Sequence, residues 1–284
     1  MSKTSAFIKK NMSVLLWYIL MTALAAFFLL PIIWMFFTAF MTPPQTAAYP
    51  PKWIPNPWSI QAFVIGFGTI KILRSVGNTV YITLMCVIGN LLSSSLVAFG
   101  FARLNARYKN QLFMILLGTM MIPGTVTLIP TYVLYARLGL INTFAPLIIP
   151  AFLGGSAFSI FLLRQFFQTL PRDLAESAMI DGCSWFKIYL NIYLPNTKPA
   201  LIVVMIFTFV GSWNDFFGPM IFLLDPAKYT LAVFLSLLRN QFGTASNLPT
   251  VMAMSLLSVT PIIALFFFAQ KYFVQGIVTT GLKG

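Results

Sequence analysis

The chain has 284 residues, 59% of them hydrophobic and only 8% charged, with a mean hydropathy of +0.87. An ordinary soluble domain carries about 25% charged residues, so that class is excluded. The net charge of +13 comes from basic residues that stand singly between apolar runs, which excludes a clustered nucleic-acid-binding patch.

Lys3, Lys9 and Lys10 precede an apolar run from about Val14 to Phe37. It starts like a signal peptide, and Ala23 to Ala26 mimic a cleavage site. The run continues well past those alanines, however, and is too long for a signal h-region. It predicts an uncleaved first transmembrane helix behind a cytoplasmic tail of residues 1–13. An extracytoplasmic loop over residues 39–74 follows, in which Pro43, Pro44, Pro50, Pro51, Pro55 and Pro57 are expected to deny regular structure. Trp53 and Trp58 in it suit a membrane interface.

A spanning helix needs about 20 apolar residues. Further spans are predicted at 75–102, 111–136, 142–167, 199–223 and 249–272, for an all-α integral membrane protein with six transmembrane helices over residues 14–272. Gly89, Ser93, Ser94, Ser95, Ala98 and Ala102 give the second span small-residue faces for close helix packing. Pro130 can kink the third, and Gly139 fits its C-cap. Asn78, Asn142 and Asn247 are expected near helix starts.

Residues 171–195 hold Asp173, Glu176 and Asp181, three of only five acidic residues in the chain. Asp173 and Glu176 fit a capping box. A helix from Leu174 to Asp181 would put Leu174, Ala175, Ala178 and Met179 on one face, with Glu176 and Ile180 opposite. Gly182 supplies a left-handed turn, and Ser184 can cap a second helix, Trp185 to Leu194, on which Lys187 and Asn191 share a face. That helix is too short to span a membrane. The pair predicts a helix–turn–helix platform beneath the bilayer, with a first helix small enough for close approach by a partner.

In the fifth span Asp215 lies within Trp213-Asn214-Asp215, just before Gly218-Pro219, which should break the helix. A carboxylate at this depth needs water or a partner, so these three residues are candidates for lining or gating a path, or for a capped anchor at the outer interface. Tyr229 to Arg239 predicts a short helix within an extracytoplasmic loop over residues 225–248, and residues 273–284 form a C-terminal tail.

Lysine and arginine set the orientation. Lys52, Lys71, Arg74, Arg137, Lys228 and Arg239 fall on one side, and the other twelve of the 18 fall with the termini and the platform. Positive charge stays cytoplasmic, so both termini and the platform are expected there.

Glu176-Ser177-Ala178, Asp181-Gly182 and Ile192-Tyr193-Leu194-Pro195 together resemble the Glu-Ala-Ala loop of membrane subunits in binding-protein-dependent ABC importers. Ser177 stands where that family usually has Ala, a small change. Trp213 to Phe216, Ile129-Pro130 with Tyr132, Leu138-Gly139-Leu140 with Asn142-Thr143, and the tail from Gln270 are similar to the carbohydrate-uptake, MalG-like branch. The likeness covers residues 75–284, and the N-terminal third matches only in general character.

The resemblance implies that Glu176, Ser177, Ala178, Asp181 and Gly182 form the coupling helix that docks into an ATPase subunit. It implies that the C-terminal residues Gly281, Leu282 and Lys283 reach between the ATPase subunits. The implied partners are a second homologous membrane subunit, two ATPases, an extracytoplasmic sugar-binding protein and the lipid bilayer. The implied location is a bacterial or archaeal cytoplasmic (inner) membrane.

The chain carries no Gly-x-x-x-x-Gly-Lys-Ser/Thr phosphate loop, so ATP hydrolysis is expected in a partner. With no His and five carboxylates, three of them in one loop, neither an acid–base pair nor a metal site presents itself, and no cofactor is expected. A self-sufficient secondary transporter is the rival reading. It would need ionisable groups near mid-membrane, of which Asp215 is nearly the sole example.

Overall fold

The computed structural model describes residues 3–68, 70–241 and 248–281. Its helices are α1 (Lys3–Ala39), α2 (Pro43–Thr46), α3 (Gln61–Gly68), α4 (Ile70–Arg103), α5 (Lys109–Thr119) and α6 (Gly124–Arg137), then α7 (Ala145–Phe152), α8 (Ala157–Thr169), α9 (Asp173–Ile180) and α10 (Trp185–Ile188). A π-helical turn, Tyr189–Tyr193, leads to α11 (Leu194–Asn196), followed by α12 (Lys198–Trp213), α13 (Phe217–Phe222), a 3-10 turn at Pro226–Lys228, α14 (Leu231–Gln241) and α15 (Leu248–Gly281). No strand occurs among the described residues.

Val14–Ala39, Ile72–Arg103, Ala145–Thr169 and Leu248–Gln270 are each long and apolar enough to cross a membrane. Two bent pairs qualify as well: α5 with α6, at 98°, and the Trp185–Asn196 stretch with α12, at 80°. The described chain therefore has four to six candidate crossings.

Three of the expected spans are not continuous. The third turns at residues 120–123, with Pro123 as the N-cap of α6, while Pro130 stays inside α6 without ending it. The fourth breaks between Phe152 and Ala157, where Gly154 (φ +110) and Gly155 (φ +66) take backbone conformations that side-chain-bearing residues rarely adopt. The fifth breaks at residues 214–216, ahead of Gly218-Pro219, which occupy the first turn of α13. Proline is tolerated there because first-turn N–H groups have no intrahelical acceptor.

The chain divides into two compact units. One comprises residues 1–69 and 237–259. Its proline-rich segment does form helix, contrary to expectation: Pro43 and Pro44 begin α2, a position that suits proline. The Gln45 side chain accepts from Thr42 N at 3.0 Å and donates to the Pro57 carbonyl at 3.1 Å. Trp53 packs edge-on to Trp34 (4.9 Å between centroids), and Trp58 lies against Phe37 and Phe40, so aromatic contacts fasten the segment to the end of α1. Gly66 lets α3 lie against buried Met254, whose sulfur would be 2.6 Å from an added Cβ.

The other unit, residues 70–236 and 260–284, is built around α4, which packs on α7, α8 and α12. Its small-residue face is used as predicted. Ser94, Ser95 and Ala98 are fully buried, and a Cβ at Gly89 would sit 2.5 Å from the Phe152 ring. Where the sequence predicts a tail from residue 273, α15 runs on to Gly281.

Candidate functional site

The platform is built by short-range signals. Gly182 (φ +77) ends α9: its N–H donates to Met179 O (3.0 Å), and Cys183 N donates to Ala178 O (2.9 Å), the paired bonds of a Schellman motif. The Ser184 hydroxyl then accepts from Lys187 N at 3.5 Å and starts α10. The expected capping box is absent. Arg172 occupies the N-cap of α9 in helical conformation, so Asp173 falls inside the first turn, where its charge complements the helix dipole without a side-chain cap. The Glu176 carboxylate is exposed and meets no hydrogen-bond or ion-pair partner among the described residues.

Of the four residues expected on the packed face, only Ala175 and Ala178 are buried, while Leu174 and Met179 stay exposed at 41% and 39%. The two alanines join a core with Ala98 and Phe99 of α4, Leu163 and Phe167 of α8, Tyr189 and Tyr193, and Val204 of α12. Phe99 is its hub, with ring centroids 5.1–6.3 Å from Phe167, Trp185, Tyr189 and Tyr193. The second helix differs from a plain α-helix. Its π turn presents both Tyr189, bonded to Ser95 Oγ at 2.7 Å, and Tyr193, beneath the Arg103 guanidinium at 4.9 Å.

Arg103 Nη2 also donates to Phe167 O (2.6 Å) and Leu170 O (2.5 Å), satisfying carbonyls left free at the end of α8. Beside the platform lies a cleft of about 530 Å³, lined by Arg103, Lys109, Arg172, Glu176 and Met179 among others. The Ser177 hydroxyl bonds back to Asp173 O at 2.8 Å, while Asp181 is the exposed C-cap of α9. Glu176, Ser177, Asp181 and Gly182 thus lie on the exposed side of a helix whose other side is anchored by Ala175 and Ala178.

The second predicted group brackets the break in the fifth span. Trp213 is 5% exposed and stacks on Phe209 (5.4 Å, 10° between planes), so its ring face is occupied. Asn214, exposed, donates to Val210 O at 3.0 Å. Asp215 Oδ1 accepts from Gly218 N at 3.1 Å and so caps α13. A Cβ at residue 218 would meet the Asp215 carboxylate at 2.5 Å, so glycine is required for this contact. Gly281 is the last residue of α15, and Leu282 and Lys283 lie outside the described residues. Cys86, buried, and Cys183 are both free thiols.

Two arrangements escaped the sequence. Asn142 does not start a helix. It holds a left-handed conformation (φ 62) and clamps the segment after α13: its N–H donates to Phe222 O (2.8 Å), its Oδ1 accepts from Leu224 N and Asp225 N (3.1 and 3.0 Å), and its carbonyl accepts from Lys228 Nζ (2.5 Å). Asn78, two turns inside α4, donates to Ala227 O and Tyr229 O, and Thr79 Oγ1 accepts from Leu231 N. Asn247 lies outside the described residues. Within the bundle, Asn90 of α4 reaches Ser159 and Thr208. An amide in an apolar span was its one available signal.

A helical bundle of membrane-crossing length, with a polar helix–turn–helix platform packed onto the ends of three of its helices, defines a polytopic membrane protein. The chain belongs to the family described as binding-protein-dependent transport system inner membrane component, which matches residues 90–279. It is thus the membrane component of a transport system rather than an ATPase.

Among its relatives, the arabinooligosaccharides transport system permease protein AraQ of Halalkalibacterium halodurans is 34% identical over 208 residues, covering 73% of each chain. The polygalacturonan/rhamnogalacturonan transport system permease protein YtcP of Bacillus subtilis is 30% identical and covers 94% of this chain and 96% of its own. The fold matches a solved bacterial ABC transporter involved in the import of the acidic polysaccharide alginate. That match has a TM-score of 0.82 and 23% identity, over 96% of this chain and 99% of that one.

Proposed function

We propose that this protein is the permease subunit of an ATP-driven, binding-protein-dependent importer of oligosaccharides, forming half of the translocation path. Its relatives bear names of arabinooligosaccharide and polygalacturonan/rhamnogalacturonan transport systems, which supports a carbohydrate cargo. The partners are a second homologous membrane subunit, two ATPases and an extracytoplasmic sugar-binding protein. Each bent pair crosses once, for six crossings, and both termini are cytoplasmic, as the distribution of Lys and Arg supports.

The observation that carries this reading is the two-sided platform. Ala175 and Ala178 fix α9 to the ends of α4, α8 and α12, while Glu176, Ser177, Asp181 and Gly182 remain free for an ATPase surface. A push on the exposed side is delivered through close-packed rings to three membrane helices, because a dense core transmits displacement rather than absorbing it. Glu176 is assigned a basic residue on the ATPase. Gly281, Leu282 and Lys283 are assigned to a second ATPase contact, and Asn214 and Asp215, steadied by Trp213, to the outer gate.

Purification in mild detergent tests the whole reading: the chain is expected to co-purify with an ATPase and a second membrane subunit. Recovery of the chain alone, with sugar uptake driven by a proton gradient, would favour the secondary-transporter alternative and sink this one. At the gate, Asp215→Cys should react with an impermeant thiol reagent from outside, at a rate that changes when ATP hydrolysis is trapped. A constant rate reduces the segment to a static cap.

A further inference from the structure

The break in the fourth crossing lies near the middle of Ala145–Thr169. Non-helical backbone at membrane depth persists only where protein covers it or where it lines a water-filled cavity. Here it does both. On one side, Ser93 Oγ donates to Ala151 O (2.6 Å) and Asn90 Oδ1 accepts from Ser156 N (2.9 Å), so polar groups of α4 take up the loose backbone. On the other side lies a cavity of about 420 Å³, a volume usual for small-molecule sites. Asn90, Gly155, Ser156, Ser159, Thr208 and Gly211 line it, with the rings of Phe158 and Phe207 set edge to face at 5.6 Å.

The hydrogen bonds in this wall are unevenly used. Asn90 spends its whole amide on the chain: Nδ2 donates to Ser159 Oγ (3.0 Å) and Thr208 Oγ1 (2.6 Å), and Oδ1 accepts from Ser94 Oγ (2.8 Å) as well as Ser156 N. Of the two hydroxyls it holds, Thr208 also donates to Val204 O (2.8 Å), but Ser159 keeps its donor. Among the described residues Ser159 accepts from Asn90 but donates to nothing, and the exposed Ser156 hydroxyl has no partner. No charged residue lines the cavity. The wall therefore offers fixed neutral hydroxyls beside half-exposed aromatic rings, at a depth where lipid would satisfy neither hydroxyl.

We infer that this cavity is the subunit's mid-membrane sugar-contacting wall. Ser156 and Ser159 bond ring hydroxyls, Phe158 and Phe207 lie against the C–H face of the sugar, and Asn90 positions the Ser159 hydroxyl directly and Ser156 through its backbone N–H. The wall suits uncharged sugar units, since it holds no cation to pair with a carboxylate. The inference rests on the oligosaccharide reading above.

Ser156→Ala isolates the claim, because that hydroxyl bonds nothing among the described residues and its loss is expected to leave assembly and Tm unchanged. In proteoliposomes of the complete complex, supplied with ATP and a panel of tritiated arabinotriose, maltotriose and trigalacturonate, the variant is expected to raise KM about fivefold, the worth of one neutral hydrogen bond, at unchanged kcat. In a Cys183→Ser background, Ser156→Cys should react with the water-soluble reagent MTSET, and that modification should abolish uptake. Reaction with lipid-soluble N-ethylmaleimide alone would place the cavity against lipid and overturn the inference. So would an unchanged KM in Ser156→Ala while the unmodified complex transports normally. Failure of the unmodified complex to move any of the sugars would instead overturn the oligosaccharide reading, and this inference with it.

Discussion

The two ends of the α4-centred unit are held by different physics. At the platform, α9 and the π turn are locked by apolar interdigitation around Phe99, with hydrogen bonds confined mostly to helix ends. At the opposite end, the segment from Phe222 to Leu231 is held by hydrogen bonds to Asn142, Asn78 and Thr79, each reaching across 80 or more residues of sequence. A packed ring cluster resists displacement in every direction, whereas a few directional bonds can be exchanged for water or for a partner's groups. The difference suits the proposed function, in which one end passes force from an ATPase and the other yields during transport.

Removing the hub should have the largest effect. Phe99→Ala deletes a ring that is 5% exposed and touches four others, and is expected to cost about 3–5 kcal/mol. Thermal unfolding in detergent measures this, and the ATPase should fail to co-purify. A loss below about 1 kcal/mol would mean that the platform is not held by its rings and would erase the contrast between the two ends.

Next in size is the clamp. Asn142→Ala loses the acceptor for two N–H groups and places alanine at φ 62, for an expected loss of about 1–3 kcal/mol. Asn142→Gly keeps the conformation and loses only the bonds, so it should fall between Ala and wild type. Amide hydrogen exchange should rise over residues 222–231 in both variants and stay unchanged in the platform. If exchange rises at both ends, the two regions are one cooperative unit.

What the sequence made legible follows the same division. Gly182, Ser184 and Gly139 act on neighbours three to five residues away, and each sits in the turn or cap predicted for it. The small-residue face of α4 was also readable, since Gly89 and Ser93–Ser95 repeat at helical spacing. Asn142, Asn78 and Asn90 were misplaced or missed because their partners lie far along the chain, where a propensity for caps says nothing. The break at 153–156 is marked in sequence only by Gly154-Gly155, which a long apolar flank on either side masks, and the break at 214–216 falls ahead of Gly218-Pro219 because proline is accommodated in the first turn of α13. The capping box failed for a local reason: Arg172 adopts helical conformation and moves the helix start one residue ahead of the expected cap.

Asp215 tests the yielding end at smaller scale. Asp215→Ala removes the acceptor for Gly218 N and should cost about 1 kcal/mol. Asp215→Asn keeps an oxygen in place and should leave the stability within about 0.5 kcal/mol of wild type. If Asp215→Asn nevertheless slows transport, the charge serves the gate. If only Asp215→Ala has an effect, the residue is a cap.

The smallest stability effect belongs to Glu176. Were it half of a capping box, Glu176→Ala would destabilise α9 by about 0.5–2 kcal/mol while Glu176→Gln would not. The structure removes that distinction, because Arg172 holds the N-cap and the exposed Glu176 carboxylate bonds to nothing among the described residues. Both variants are therefore expected to unfold within about 0.5 kcal/mol of wild type. Both should weaken the coupling of ATP hydrolysis to transport by a similar factor, because what each removes is the charge offered to the partner. A pair at such an interface contributes modestly when solvent-exposed and more when docking dries it, so raising the salt concentration should narrow the gap between wild type and either variant. Measuring ATPase activity against uptake in proteoliposomes at two ionic strengths decides the matter. Normal coupling in Glu176→Gln with failure in Glu176→Ala would restore a capping role and remove this carboxylate from the ATPase contact.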